Sequence, residues 1–66
     1  MQVIINGEQH RTPEKMSLAQ AVALLTSAPT GVAAAVNGDV VRRAAWDSTS
    51  LADGDEVEVL TAVQGG

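Results

Sequence analysis

The sequence has no cysteine, no phenylalanine and no tyrosine, and carries one tryptophan and one histidine among its 66 residues. Without thiols there is neither a disulfide framework nor a cysteine-based metal site. The lone His10 cannot build a metal cluster, so the fold must be held by packing. The missing thiols also agree with a cytoplasmic protein. With Trp46 as its only aromatic residue, the chain lacks the stacking platforms on which single-strand nucleic-acid binders depend. Basic residues are scarce as well: four Lys and Arg stand against eight Asp and Glu, for a net charge of −4. That balance disfavours attraction to phosphate backbones and favours a partner with a basic surface. No apolar run approaches the roughly 20 residues of a membrane span. The first residues read as a strand rather than a basic, then apolar, signal peptide, so a soluble protein of the cytoplasm is expected.

What is present is enough for one small domain, residues 1–66, and no second one, because chains of this size bury only about 60% of their unfolded surface. Eleven of the apolar residues are alanine, leaving 19 Val, Ile, Leu, Met and Trp to fill a core. That number suits a thin layer of helix on sheet.

Gln2-Val3-Ile4-Ile5 followed by Asn6-Gly7 predicts a hairpin, with strands at about 2–6 and 8–12, because both turn residues accept positive φ. Pro13 and Glu14 end it. Ser17-Leu18-Ala19-Gln20 has the spacing of a capping box, which places a helix start at Leu18. Leu18, Val22 and Leu25 recur at i, i+4 and i+7 with Ala21 beside them, and Leu24 widens this apolar stripe. Pro29, Thr30 and Gly31 break the helix. Val32 to Val36, Asn37-Gly38 and Val40-Val41 then predict a second hairpin. Residues 42–47 show no period and read as a connection with one helical turn, pinned by Trp46. After the Asp53-Gly54 turn, Glu56-Val57-Glu58-Val59 alternates as a half-buried strand with one acidic face. Strand, strand, helix, strand, short strand, turn and strand describe an α+β fold of the β-grasp type: a mixed sheet with one main helix across one face. Residues 61–66 follow as a flexible C-terminal tail.

The side chains offer little for catalysis. The serines at 17, 27, 48 and 50 have at most one histidine as a base and no cysteine is present, so nucleophile-plus-base constellations are nearly unavailable and no residue is assigned as catalytic. Asp53, Asp55, Glu56 and Glu58 lack the ligand spacing and glycine position of a calcium loop. A turn and a solvent-facing strand account for them, and no metal site is assigned. His10 reads as an exposed hairpin residue without a partner. Arg42-Arg43 is too short for a nucleic-acid patch and reads as a solvated pair. Trp46 reads as a core or core-edge anchor, with a binding hot spot as the other reading.

Gly65-Gly66 is different, since glycine loses the most entropy on ordering and no fold needs two of them after its last strand. A frayed terminus would read the same way. A tail without side chains can also thread a narrow groove and present the Gly66 carboxylate to a reactive centre.

Taken together, the residues resemble a family across essentially the whole chain: ThiS, the small β-grasp sulfur carriers of thiamine biosynthesis. The features that carry the resemblance are Asn6-Gly7-Glu8, Val36-Asn37-Gly38-Asp39-Val40-Val41, and the spacing of Arg43 to Trp46. Leu51-x-Asp53-Gly54-Asp55-x-Val57-Glu58 and the ending Thr61-Ala62-Val63-Gln64-Gly65-Gly66 complete the set, the ending being the most specific. The resemblance implies that a partner adenylating enzyme uses Mg-ATP to activate the Gly66 carboxylate. A persulfide sulfur donor then leaves a thiocarboxylate there, which thiazole synthase consumes. The chain itself would bind no cofactor and would not be an enzyme. Val63, Gln64 and Gly65 would occupy the partner's channel, and exposed apolar sheet positions would meet the two enzymes in turn. Molybdopterin-synthase small subunits are similar in fold and also end in Gly-Gly. They are usually longer and tend to carry prolines before the tail, so that role ranks second. A ubiquitin-like modifier and a plain interaction domain share the fold and stay open.

Overall fold

Each Asn-Gly pair adopts the backbone its residues favour. Asn6 and Asn37 both sit at φ 51°, followed by Gly7 at 84° and Gly38 at 87°, two left-handed residues in each two-residue turn. The computed structural model describes residues 1–26 and 31–61. The first turn joins β1 (Gln2–Ile5) to β2 (Glu8–Arg11), and the second joins β3 (Val32–Val36) to β4 (Asp39–Val41). Both pairs are antiparallel, with Ile5 opposite Glu8 and Val36 opposite Asp39. β5 (Glu56–Thr61) lies between the hairpins, parallel to β1 and antiparallel to β3. The sheet order is therefore β2-β1-β5-β3-β4. β5 continues to Thr61, which pairs with Val32. The strand thus takes the first residue read as tail, because β3 begins early enough to extend the ladder.

α1 (Leu18–Leu25) starts where the capping box places it. The Ser17 hydroxyl accepts from the Gln20 N–H at 3.2 Å, and Gln20 Oε1 accepts from the Ser17 N–H at 2.9 Å. The Leu18 N–H reaches the Thr49 carbonyl at 2.8 Å and the Ala19 N–H the Trp46 carbonyl at 3.3 Å. Donors at the helix start that the helix cannot satisfy itself are thereby paired. The helix ends at an extended Thr26 whose N–H still bonds the Val22 carbonyl. Pro29 and Thr30, read as its breakers, lie outside the described residues.

Alternation along the strands turns Val3, Ile5, Ala34, Val57 and Val59 toward α1, where they meet Leu18, Ala21, Val22, Leu51 and Trp46. The apolar stripe of the helix is shorter than the spacing predicts. Leu18 and Ala21 are fully buried, but Leu24 and Leu25 are 53% and 42% exposed. Small sheet residues such as Ala34 make a core that the first part of the helix already covers, and the last turn runs beyond it.

Arg43–Ala45 forms the single helical turn expected in the connection, a 3₁₀ turn. Trp46 follows it as a buried anchor, and its indole N–H donates to the Val41 carbonyl at 2.8 Å. The Arg43 guanidinium lies 5.1 Å from the ring centroid, a cation–π distance. His10 is not the exposed residue expected. It pairs with Val3, shares that residue's inward face and is half-buried. Its Nε2 is buried and has no hydrogen-bond partner among the described residues.

Candidate functional site

The sheet is covered by α1 on one face only, so every second strand residue is left on the other. Register places Ile4 beside Glu56, Ala33 beside Leu60, and Ala35 between Glu58 and Val40. Leu60 is 67% and Val40 81% exposed. Two large apolar side chains thus flank small alanines on an open face. Glu56 and Glu58, both exposed, add negative charge to the same surface. Gly31, Val32, Ala33, Leu60 and Thr61 line a shallow groove at the end of β5, where the chain runs on toward residue 62.

The sequence contained a signal for this surface. In Glu56-Val57-Glu58-Val59-Leu60, Leu60 has the parity of the glutamates, so a strand that buries its valines must expose it. Val40-Val41 is the same case, since two adjacent apolar residues cannot both face the core. Leu60, Val40 and Ala33, with the half-buried Ala35 beside Val40, supply names for the sheet positions that the sequence left unnamed.

The acidic residues at the turn have structural work. Asp53 accepts from the Gln2 N–H at 2.7 Å. Asp55 accepts from the Ala52 N–H at 2.8 Å through one oxygen and from Asn37 Nδ2 at 3.1 Å through the other. Among the described residues, no group of three or more His, Cys, Asp or Glu could hold a metal ion. Nor, among those residues, is any helix long and apolar enough to cross a membrane.

β5 is also gripped by side chains, which sequence reasoning missed. Asn37 Oδ1 accepts from the Glu56 N–H at 3.0 Å while the Asn37 N–H donates to the Glu56 carbonyl at 2.7 Å. Three residues further along the strand, Asn6 Nδ2 donates to the Val59 carbonyl at 3.1 Å and Asn6 Oδ1 accepts from the Val59 N–H at 2.8 Å. Turn chemistry alone accounted for both asparagines, so nothing prompted a second role. Val63, Gln64, Gly65 and Gly66, the residues expected to carry the chemistry, lie outside the described residues. The site as described is the platform that leads to them: the open sheet face and the clamped strand β5.

A five-stranded mixed sheet with one helix across one face, its central strand last in sequence, defines a β-grasp domain. The comparisons with known proteins narrow that class. The chain belongs to the ThiS family, which it matches over residues 3–66. It is similar to the crystal structure of the thiamine biosynthesis protein ThiS from Geobacter metallireducens, with 32% identity and a TM-score of 0.80 over the whole of both chains. An NMR solution structure of a thiamine biosynthesis protein from the same organism gives 32% identity and a TM-score of 0.81. That match covers 100% of this chain and 88% of the other. No curated protein matches the chain.

Proposed function

We propose that this chain is a sulfur carrier of thiamine biosynthesis whose working group is the Gly66 carboxylate. The observation that carries this reading is the family match over residues 3–66, which extends through the Gly65-Gly66 terminus. The 32% identity to structures of thiamine biosynthesis proteins supports the pathway.

The chemistry follows from what a carboxylate cannot do unaided. Its charge repels nucleophiles and oxide is a poor leaving group, so an adenylating partner joins it to the α-phosphate of Mg-ATP, and pyrophosphate leaves. The terminal sulfur of a donor cysteine persulfide attacks the acyl carbon and expels AMP, giving an acyl disulfide. A second thiol attacks the donor's cysteine sulfur and breaks the S–S bond. The electron pair stays on the Gly66 sulfur as a thiocarboxylate, and a disulfide forms between the two thiols. Thiazole synthase then receives the sulfur, and water restores the carboxylate. This chain has no thiol of its own, so the donor belongs to another protein. Its own contribution is presentation. Val63, Gln64 and Gly65 lie in the partner's channel, and Leu60, Val40, Ala33 and Ala35 form the docking face. Glu56 and Glu58 meet basic residues on the adenylating enzyme.

The test is an intact mass with C-terminal fragmentation on protein isolated from its own cells. The expected result is sulfur in place of one oxygen on Gly66. Fragmentation is required because a sulfoxide at Met1 or Met16 gives nearly the same mass change. An unmodified Gly66 in cells actively making the vitamin would refute the reading. An isopeptide bond from Gly66 to a lysine would replace it with that of a modifier.

A further inference from the structure

Successive peptide groups of β5 face β1 and β3 in alternation. On the β1 side, the Ile4 N–H takes the Asp55 carbonyl and the Asn6 N–H takes the Val57 carbonyl, both at 2.9 Å. There β1 ends, because the chain turns at Asn6-Gly7 toward β2. The next peptide groups in line, the N–H and carbonyl of Val59, have no backbone left to pair with. The Asn6 side-chain amide supplies both the acceptor and the donor, at 2.8 and 3.1 Å. It acts as one more residue of β1. Among the described residues, Val59 is the last position of β5 held from that side.

We propose that Asn6 is a positioning residue for the activation of Gly66, holding the outgoing end of β5 against β1. This rests on the sulfur-carrier reading. With Asn6 in place, β5 is held on its β1 side as far as Val59 and on its β3 side as far as Thr61. Without the clamp the β1 side is held only as far as Val57, and the last residues of β5 depend on β3 alone. A strand end held from one side moves more than one held from two, and that freedom is lost on docking. The clamp therefore acts on the encounter with the partner and not on the chemical step.

Asn37 provides an internal control, since its side chain also makes two hydrogen bonds, accepting from the Glu56 N–H at the start of β5 and donating to Asp55 Oδ1. Both asparagines sit at φ 51°, where glycine is unstrained. Asn6→Gly and Asn37→Gly therefore each delete two side-chain hydrogen bonds without straining the turn, and the backbone bond from Asn37 to the Glu56 carbonyl stays. Two measurements apply to the full-length chain. By hydrogen exchange, the Val59 amide should exchange roughly tenfold faster in Asn6→Gly than in Asn37→Gly, the worth of about one net hydrogen bond. In steady-state adenylation by the cognate adenylating enzyme, KM for the carrier should rise on the order of fivefold in Asn6→Gly, with kcat unchanged and Asn37→Gly near wild type. Equal KM values in the two variants, or an Asn6→Gly effect confined to kcat, would overturn the proposal. A wild-type chain that is not adenylated at all defeats the sulfur-carrier reading and the positioning role with it. The exchange rates then still report whether Asn6 holds Val59.

Discussion

Trp46 donates its indole N–H to the backbone carbonyl of Val41 at 2.8 Å, which ties the edge strand β4 to the connection that closes the helix N-terminus. Trp46 is 6% exposed, so its N–H has little recourse to water, and Val41 is half-buried. Trp46→Phe keeps most of the apolar contact but leaves that carbonyl without its partner. The expected loss is about 1–3 kcal/mol, read by urea unfolding followed by circular dichroism, since the variant has no tryptophan fluorescence. A stability equal to wild type would show that water replaces the bond.

His10 calls for the opposite change. Its Nε2 is buried without a partner among the described residues on the inward face beside Val3, and an unpaired buried polar atom costs about 1–3 kcal/mol. His10→Leu removes that atom and adds apolar contact, so the variant should be more stable by about 1 kcal/mol, seen as a higher urea midpoint with an unchanged slope. A lower midpoint would mean that the imidazole has a partner in solution.

Much of this architecture could be read from residues before any coordinates. Both hairpins, the helix start and the final strand follow from local chemistry: Asn-Gly turns, the Ser17-Gln20 box and the Glu-Val alternation. What escaped was decided by packing between distant segments. Leu24 and Leu25 fit a helical stripe, yet the extent of the core opposite a helix is not written in the helix. His10 faces inward because hairpin register aligns it with Val3, a relation that residue type conceals. The two clamps on β5 join positions as far apart as Asn6 and Val59. Neither asparagine needed a partner to explain its presence in a turn. The Gly65-Gly66 end stood out in the sequence by composition and through resemblance and lies outside the described residues, whereas the platform before it needed the sheet register.

Leu60 separates docking from folding. It is 67% exposed and faces the open side of the sheet, so Leu60→Glu should change stability by no more than about 0.5 kcal/mol. At the centre of an apolar contact the added charge should raise the KM of the adenylating enzyme for the carrier by roughly tenfold or more. An unchanged KM would place the docking surface elsewhere.

Gly65→Val tests the threading of the tail. A β-branched side chain next to the reacting carboxylate should clash in a channel shaped for glycine, and adenylation should fall by at least about a hundredfold. The urea midpoint should stay at its wild-type value. Normal adenylation of this variant would show that the tail is met by an open surface instead of a narrow channel.

The strand order β2-β1-β5-β3-β4 has a bearing on how the protein is made. Without β5 the chain is two hairpins and a helix, and the sheet has no middle. Contacts that complete the core span some fifty residues, as between Ile5 and Val57, and such long loops close slowly. A nascent chain cannot finish its sheet until Thr61 has left the ribosome. A chain cut short before β5 therefore has no native state to reach, and the cell's proteases meet it as an unfolded polypeptide.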